Sequence, residues 1–241
     1  MKKVILSFLL VAASGIVSLS QKTVNDPHAV VRDARDFHSI SVSSAFDVYL
    51  TQSNTEAVAV SATEEKYRDR ITVDVKAGIL HIGYESKGLS WSSGNKKLKA
   101  YISFKNIDRL KVSGACDVFI LGTLKADNLS IDQSGASDLK GKLDVTKLTV
   151  DLRGASDITV SGIATQLSVE ASGASDFKGF DLATETCNAR ASGASDIKVT
   201  VNKELSASAS GASDVKYRGK GLIRDVKSSG SSSVSRDGKS I

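Results

Sequence analysis

The sequence predicts an all-β fold, a parallel β-helix or solenoid of coils roughly 19 residues long. Three observations point to it. A short pattern recurs as Ser113-Gly-Ala-Cys-Asp117, Ser134-Gly-Ala-Ser-Asp138, Arg153-Gly-Ala-Ser-Asp157, Ser172-Gly-Ala-Ser-Asp176, Ser192-Gly-Ala-Ser-Asp196 and Ser210-Gly-Ala-Ser-Asp214, with a decayed copy at Ser229-Gly-Ser-Ser-Ser233. Its glycines fall at 114, 135, 154, 173, 193, 211 and 230, spacings of 21, 19, 19, 20, 18 and 19. The residues on either side alternate apolar and polar, the period of a half-buried strand, and no 3.6-residue helical period appears.

Composition agrees with a thin repeat. Pro occurs once, aromatics make up 5% of the chain, and Gly reaches 19 residues. The formal charge is +5, with Lys and Asp interleaved and no run of one sign. Nucleic-acid binding, which calls for a clustered basic face, is not expected.

Taken in order, residues 1–20 read as a signal peptide. Lys2 and Lys3 form a basic start, Val4 to Val17 an apolar run, and Ser18-Leu19-Ser20 a small-x-small cleavage pattern before Gln21. The apolar run is shorter than the ~20 residues a span needs, and the mature chain is expected to carry no transmembrane segment. Residues 21–36 read as a flexible polar leader. Residues 37–106 read as an N-terminal β region capping the solenoid. Within it Phe37 to Gln52 resembles a diverged coil, with Ser44 standing where Gly stands elsewhere. Ala57 to Ser61 reads as a strand and Glu64 to Arg70 as a helical turn. Ile71 to Val75 and Ile79 to Ile82 form a hairpin around Lys76-Ala-Gly78, Ser86 to Lys96 is a polar loop, and Leu98 to Phe104 leads into the coils. Residues 107–241 are the solenoid of Ser-Gly-Ala-Ser-Asp repeats.

With each repeat Gly set to zero, the columns explain themselves. Position −6 holds Leu129, Leu148, Leu167, Cys187 and Leu205. Position −4 holds Leu110, Ile131, Val150, Val169, Ala189, Ala207 and Val226. Position +4 holds Val118, Leu139, Ile158, Phe177, Ile197, Val215 and Val234. These face inward. Position +5 holds Lys140, Thr159, Lys178, Lys198 and Lys216, facing out. Gly at zero permits a bend that a Cβ hinders. The Ala column lets the corner pack closely between coils, and the Asp column caps the bend through backbone N–H groups. Cys187 takes a Leu slot and is expected to be buried. Cys116 takes the Ser slot at the bend and is expected to be reactive. Three to four coils at ~4.8 Å each exceed the ~7 Å limit for a disulfide, so two free thiols are predicted.

The pattern Phe37-x-x-Ile40-x-Val42 with Phe46-Asp47-Val48, the Ile71 to Ile82 hairpin and the repeated coils resemble the head GIN domain family of auto-transporter adhesins. The resemblance covers Phe37 to the C-terminus. It implies a right-handed single-stranded β-helix, export and an adhesive role, and supplies no catalytic residues. This chain has no recognisable outer-membrane barrel of its own.

The chemistry-bearing candidates are few. The column Asp117, Asp138, Asp157, Asp176, Asp196 and Asp214 is the sharpest. Stacked carboxylates can hold calcium, but the neighbouring Lys column compensates them without a metal, and no metal or other cofactor is expected. Trp91, in a polar loop, is a candidate for stacking on a sugar. His28, His38 and His81 are scattered. The leading function is therefore an exported, non-enzymatic, adhesin-like binding module of the cell envelope: periplasmic, outer-membrane-associated or extracellular. Its expected partner is a polysaccharide or an envelope or surface protein. The alternatives are a carbohydrate-active enzyme, since polysaccharide lyases also use β-helices, and an envelope assembly scaffold. Oligomeric state is left open.

Overall fold

The computed structural model describes residues 26–86 and 96–238. The expected signal peptide, and Trp91 with most of its loop, lie outside these residues.

The first part of the chain forms β1 (Val30–Arg32), β2 (Ser39–Val42), β3 (Phe46–Gln52), β4 (Ala57–Ser61), the single-turn helix α1 (Glu65–Arg68), β5 (Ile71–Lys76), β6 (Ile79–Tyr84), β7 (Leu98–Phe104) and β8 (Arg109–Gly114). Long bent strands follow: β9 (Asp117–Gly135), β10 (Asp138–Leu152), β11 (Asp157–Ala171), β12 (Asp176–Ala191) and β13 (Asp196–Gly211). The last coil consists of β14 (Asp214–Arg218), β15 (Leu222–Gly230) and β16 (Ser233–Arg236).

From β8 onward each coil lies parallel and in register on its predecessor. Leu129, Leu148, Leu167, Cys187 and Leu205 stack as one inward column, as the alternation predicts. Ile131 to Ala207 and Val118 to Val215 form two more. A further inward column at −2 holds Val112, Gln133, Leu152, Ala171, Ala191 and Ala209. The core is thus a narrow apolar strip between two polar faces. One coil cannot bury that strip alone, and stacking is what buries it.

The order of coils departs from the order of the chain. β2 lies between β6 and β8, and β3 between β7 and β9, all parallel. The coil that begins the described fold is therefore second in the stack. After β3 the chain runs outward and lays down β6 and β7 beyond that coil. It then crosses back to β8. Antiparallel strands flank the outermost rungs: β5 pairs with β6, and β4 pairs with β7 and then β1. The β5–β6 hairpin turns at Ala77 and Gly78, both at positive φ, the geometry of a two-residue hairpin loop.

The segment expected to be a flexible leader is structured from Asp26 onward. β1 fills the free edge of β4, Ala34 is buried, and Asp26 accepts hydrogen bonds from the Tyr101 hydroxyl (2.8 Å) and the His28 N–H (3.0 Å). Polar composition concealed this because the strand is only three residues long.

Candidate functional site

The repeated corner is built on backbone stacking. Each corner Gly has φ between +79° and +97°, a region that L side chains rarely adopt. From Gly135 to Gly230, a Cβ at each would sit no more than 2.8 Å from the carbonyl oxygen of the Gly one coil below. That carbonyl instead accepts the N–H of the next residue of the coil above, as in Ala136 to Gly114, Ala174 to Gly154 and Ala212 to Gly193 (2.7–2.8 Å). Ser44 takes the same place in the diverged coil at φ +92°, and the Ala115 N–H donates to its carbonyl (2.7 Å). Contrary to the expectation from the sequence, the Ala column does not pack between coils. Its side chains are exposed, and its N–H groups make the ladder.

Two further corrections concern the next positions. The +2 serines do not lie open at the bend. Ser137, Ser156, Ser175, Ser195 and Ser213 are buried. Each hydroxyl points back inside to the carbonyl three residues earlier, as in Ser175 to Ser172 (3.0 Å) and Ser195 to Ser192 (2.9 Å). The inward phase of the +4 residues simply continues to +2, with the polar atom absorbed by an otherwise free carbonyl. Cys116 does the same, with its thiol 3.6 Å from the Ser113 carbonyl and no exposed surface. Both cysteines are therefore buried and unbridged, and burial pushes up both thiols, Cys187 to about 12. The expected reactivity of Cys116 is overturned.

The Asp side chains do not cap the bend. Among the described residues no backbone N–H donates to the carboxylates of Asp117, Asp138, Asp157, Asp176, Asp196 or Asp214. The serines have taken that role, and the carboxylates turn outward. Asp47, Asp117, Asp138, Asp157, Asp176, Asp196 and Asp214 form one in-register row. The Lys column runs beside it on the same face. Lys178 reaches Asp157 of the coil below (2.6 Å) and Asp176 of its own (3.4 Å), and Lys216 lies 3.7 Å from Asp214. The hydrogen bond to Asp157 raises the Lys178 ammonium above its ordinary value. At the start of the row, where Tyr49 stands in place of the column lysine, burial and then repulsion from Asp117 raise the Asp47 carboxyl, against the opposing pull of Lys99 and Lys97. Among the described residues no three of His, Cys, Asp or Glu converge on a point that could hold a metal ion.

The same outer column carries a feature that sequence reasoning missed. In place of lysine, the first coils set Tyr101, Tyr49 and Phe119 side by side. The rings stack with centroids 5.2 and 5.4 Å apart and planes within 20°. Their faces meet along the stack, an arrangement that stiffens the sheet. Burial and the bond to Asp26 raise the Tyr101 phenol well above its usual range. The signal was present in Asp47-Val-Tyr49 and Asp117-Val-Phe119, which share one register.

The histidines do not assemble. His38 pairs with Asp108 on the surface (Nδ1 to Oδ2 3.0 Å), His28 precedes β1, and His81 lies on β6 three residues beyond Gly78, the residue His38 packs against. No helix among the described residues is long and apolar enough to cross a membrane.

The geometry defines a parallel β-solenoid with regular polar rows on its outer faces. A family model described as "Putative auto-transporter adhesin, head GIN domain" matches residues 36–221, and the chain belongs to that family. Among solved structures, a "putative adhesin" from Bacteroides fragilis has a TM-score of 0.82 at 22% identity, covering 87% of this chain and 96% of that one. A "putative lipid binding protein" from Parabacteroides distasonis has a TM-score of 0.69 at 19% identity, covering 87% and 96%. A "putative adhesin" from Parabacteroides merdae has a TM-score of 0.68 at 18% identity, covering 87% and 95%. At these identities the likeness shows the fold. No curated protein matches the chain.

Proposed function

We propose that the protein is an exported, non-enzymatic binding module of the cell envelope whose outer solenoid face engages a polysaccharide or a surface protein. One observation carries the reading: the in-register row from Asp47 to Asp214 with its flanking lysines. It repeats fixed charges and donors at ~4.8 Å along the rod, a spacing suited to an extended, repetitive partner. Family membership supports the adhesive character of the reading, and the residues that read as a signal peptide support export. Among the described residues the short corners bring together no acid–base cluster of the kind a glycan-cleaving enzyme uses.

The test is binding of the purified chain to glycan arrays and envelope preparations at low and at physiological salt. Retention that weakens with salt, and drops on reversing Asp157 and Asp176 together, is the expected result. No binding in either salt, or depolymerisation of a polyuronide panel, overturns the proposal.

A further inference from the structure

The two ends of the stack are finished differently. At one end antiparallel strands pair with the outermost rungs. At the other, β15 pairs only with β13, and β16 only with β14, among the described residues. The inward columns run on into this last coil. Ile223 is level with Leu205, Val226 with Ala207 and Val234 with Val215. Leu205, Ala207 and Val215 are buried, yet Ile223 is 49% and Val226 41% exposed, because no coil lies over them among the described residues. An apolar edge with free N–H and C=O groups is a template for another strand.

We propose that this open coil is a self-association site, on which a second copy of the chain docks end to end about a twofold axis through Val226 and Val234. In that arrangement β15 pairs antiparallel with β15 of the second copy, and β16 with its counterpart. The outline of the coil fits the symmetry. Val226 and Val234 stand four residues before and after the Gly230 corner, so they lie level across the core. Val226 is also the midpoint of β15, which spans Leu222–Gly230 between the two corners. A half-turn there lays one coil over the other.

The charges select the same axis. Around Val226 the strand reads Arg224-Asp225-Val226-Lys227-Ser228. A half-turn sets Asp225 against Lys227 of the second copy twice over and Val226 against itself, while Arg224, the extra residue of the bulge between Ile223 and Asp225, pairs with Glu204 and stays outside the ladder. On the other face Ser233 meets Ser235 around Val234. Moving the β15 axis one residue either way places Asp225 on Asp225 or Lys227 on Lys227. Like charges directly opposite destabilise an antiparallel pair, so the neighbouring registers are disfavoured. Asp225 and Lys227 lie on one exposed face of the strand and pair with each other at 3.0 Å, an ion pair that docking would exchange for the reciprocal pair between copies.

The test is sedimentation of the purified protein over a concentration series, with small-angle scattering for shape. A dimer of about twice the monomer's length is expected. Asp225→Lys should raise the dimer dissociation constant about tenfold by opposing Lys227 twice. Adding Lys227→Asp should bring it back. Val226→Cys should cross-link under oxidation, since its Cα meets its symmetry mate at the ~4.5–5.5 Å of an antiparallel pair, while Leu222→Cys should not. Thermal melts confirm that each variant folds, and Val226→Cys, a small change at an exposed position, serves if a charge variant does not. A monomer at every concentration, the absence of the Val226→Cys cross-link, or a double variant that fails to recover overturns the proposal.

Discussion

At the glycine corner successive coils repeat one conformation, whereas at the second corner they differ. There Gly122, Gly162 and Gly219 turn at positive φ, but other coils place Leu143 or Asn202 nearby, and the register slips between Lys140 and Lys142, Thr159 and Ser161, and Gly179 and Ala183. The spacing of 18 to 21 residues between repeat glycines is absorbed at these slips together with two more, between Thr184 and Thr186 and between Leu205 and Ser206. At the glycine corner each carbonyl is the next coil's acceptor, and an error in one coil reaches its neighbours. The second corner carries bulges, and the contact there varies from coil to coil: a Cβ at Gly162 or Gly219 would sit 2.0 or 2.1 Å from the carbonyl oxygen below, whereas one at Gly122 would meet nothing within 4 Å. The glycine corner is the uniform one because every coil there makes the same contact.

The largest test of this contrast is Gly173→Val. Positive φ with a β-branched side chain, and a Cβ 2.5 Å from the Gly154 carbonyl oxygen, should cost about 4–5 kcal/mol in urea denaturation. Gly122→Ala, also at positive φ but with no atom within 4 Å of the added Cβ, should cost about 1–2 kcal/mol. Equal losses would erase the distinction between the corners.

Next is the strip between them. Leu167→Ala should cost about 3 kcal/mol and Ser168→Ala, facing outward, under ~0.5 kcal/mol. Matching midpoints would mean that the alternation does not set the core.

The corner hydroxyl comes third. Ser175→Ala should cost about 1 kcal/mol, because it leaves the Ser172 carbonyl without its donor. Ser175→Cys should cost less, since Cys116 already fills that slot with the same contact. A larger loss for Cys than for Ala would break the equivalence of the two side chains.

The thiols supply a pH test. Folding holds Cys187 in its neutral form, so its contribution is complete below the unfolded thiol's value near 9 and is lost as pH rises toward about 12. Cys187→Val should flatten that part of the stability profile. Both cysteines should resist thiol reagents until the protein unfolds. Rapid native labelling of Cys116 alone would reopen the corner.

A small effect is expected at Asp176→Ala, below ~1 kcal/mol, because the side chain holds the partly exposed pair with Lys178. A chelator should leave the melt unchanged. A loss as large as that of Ser175→Ala would return the capping role to the carboxylate.

Much of this was legible because two signals coincide in the repeat. Glycine marks the corner, and alternation marks the inward columns, so Leu129 to Leu205 and Val118 to Val215 were placed by counting. Ser137 and its column were misplaced because a hydroxyl reads as solvent-facing, although counting back two from +4 points it inward. The Asp column reads as a cap for the complementary reason: a carboxylate near a bend is a good acceptor, and it takes the fold to bring serine nearer. The position of β2 and β3 inside the stack was illegible, because chain order and stacking order disagree there. That depends on pairings between residues such as Ile40 and Leu110, which no local pattern records.

The buried position of that early coil also fixes how the molecule carries tension. Pull on the last coil, and only β13 and β14 hold it, so rungs peel away one at a time, each exposing the next. Pull on the segment before β1, and the load passes through Asp26 and β1 to a coil gripped on both sides, β2 by β6 and β8, β3 by β7 and β9. Freeing it means parting two neighbours together. The rod therefore has a yielding end and an anchored end, and under load at one or the other it would either lengthen rung by rung or hold fast.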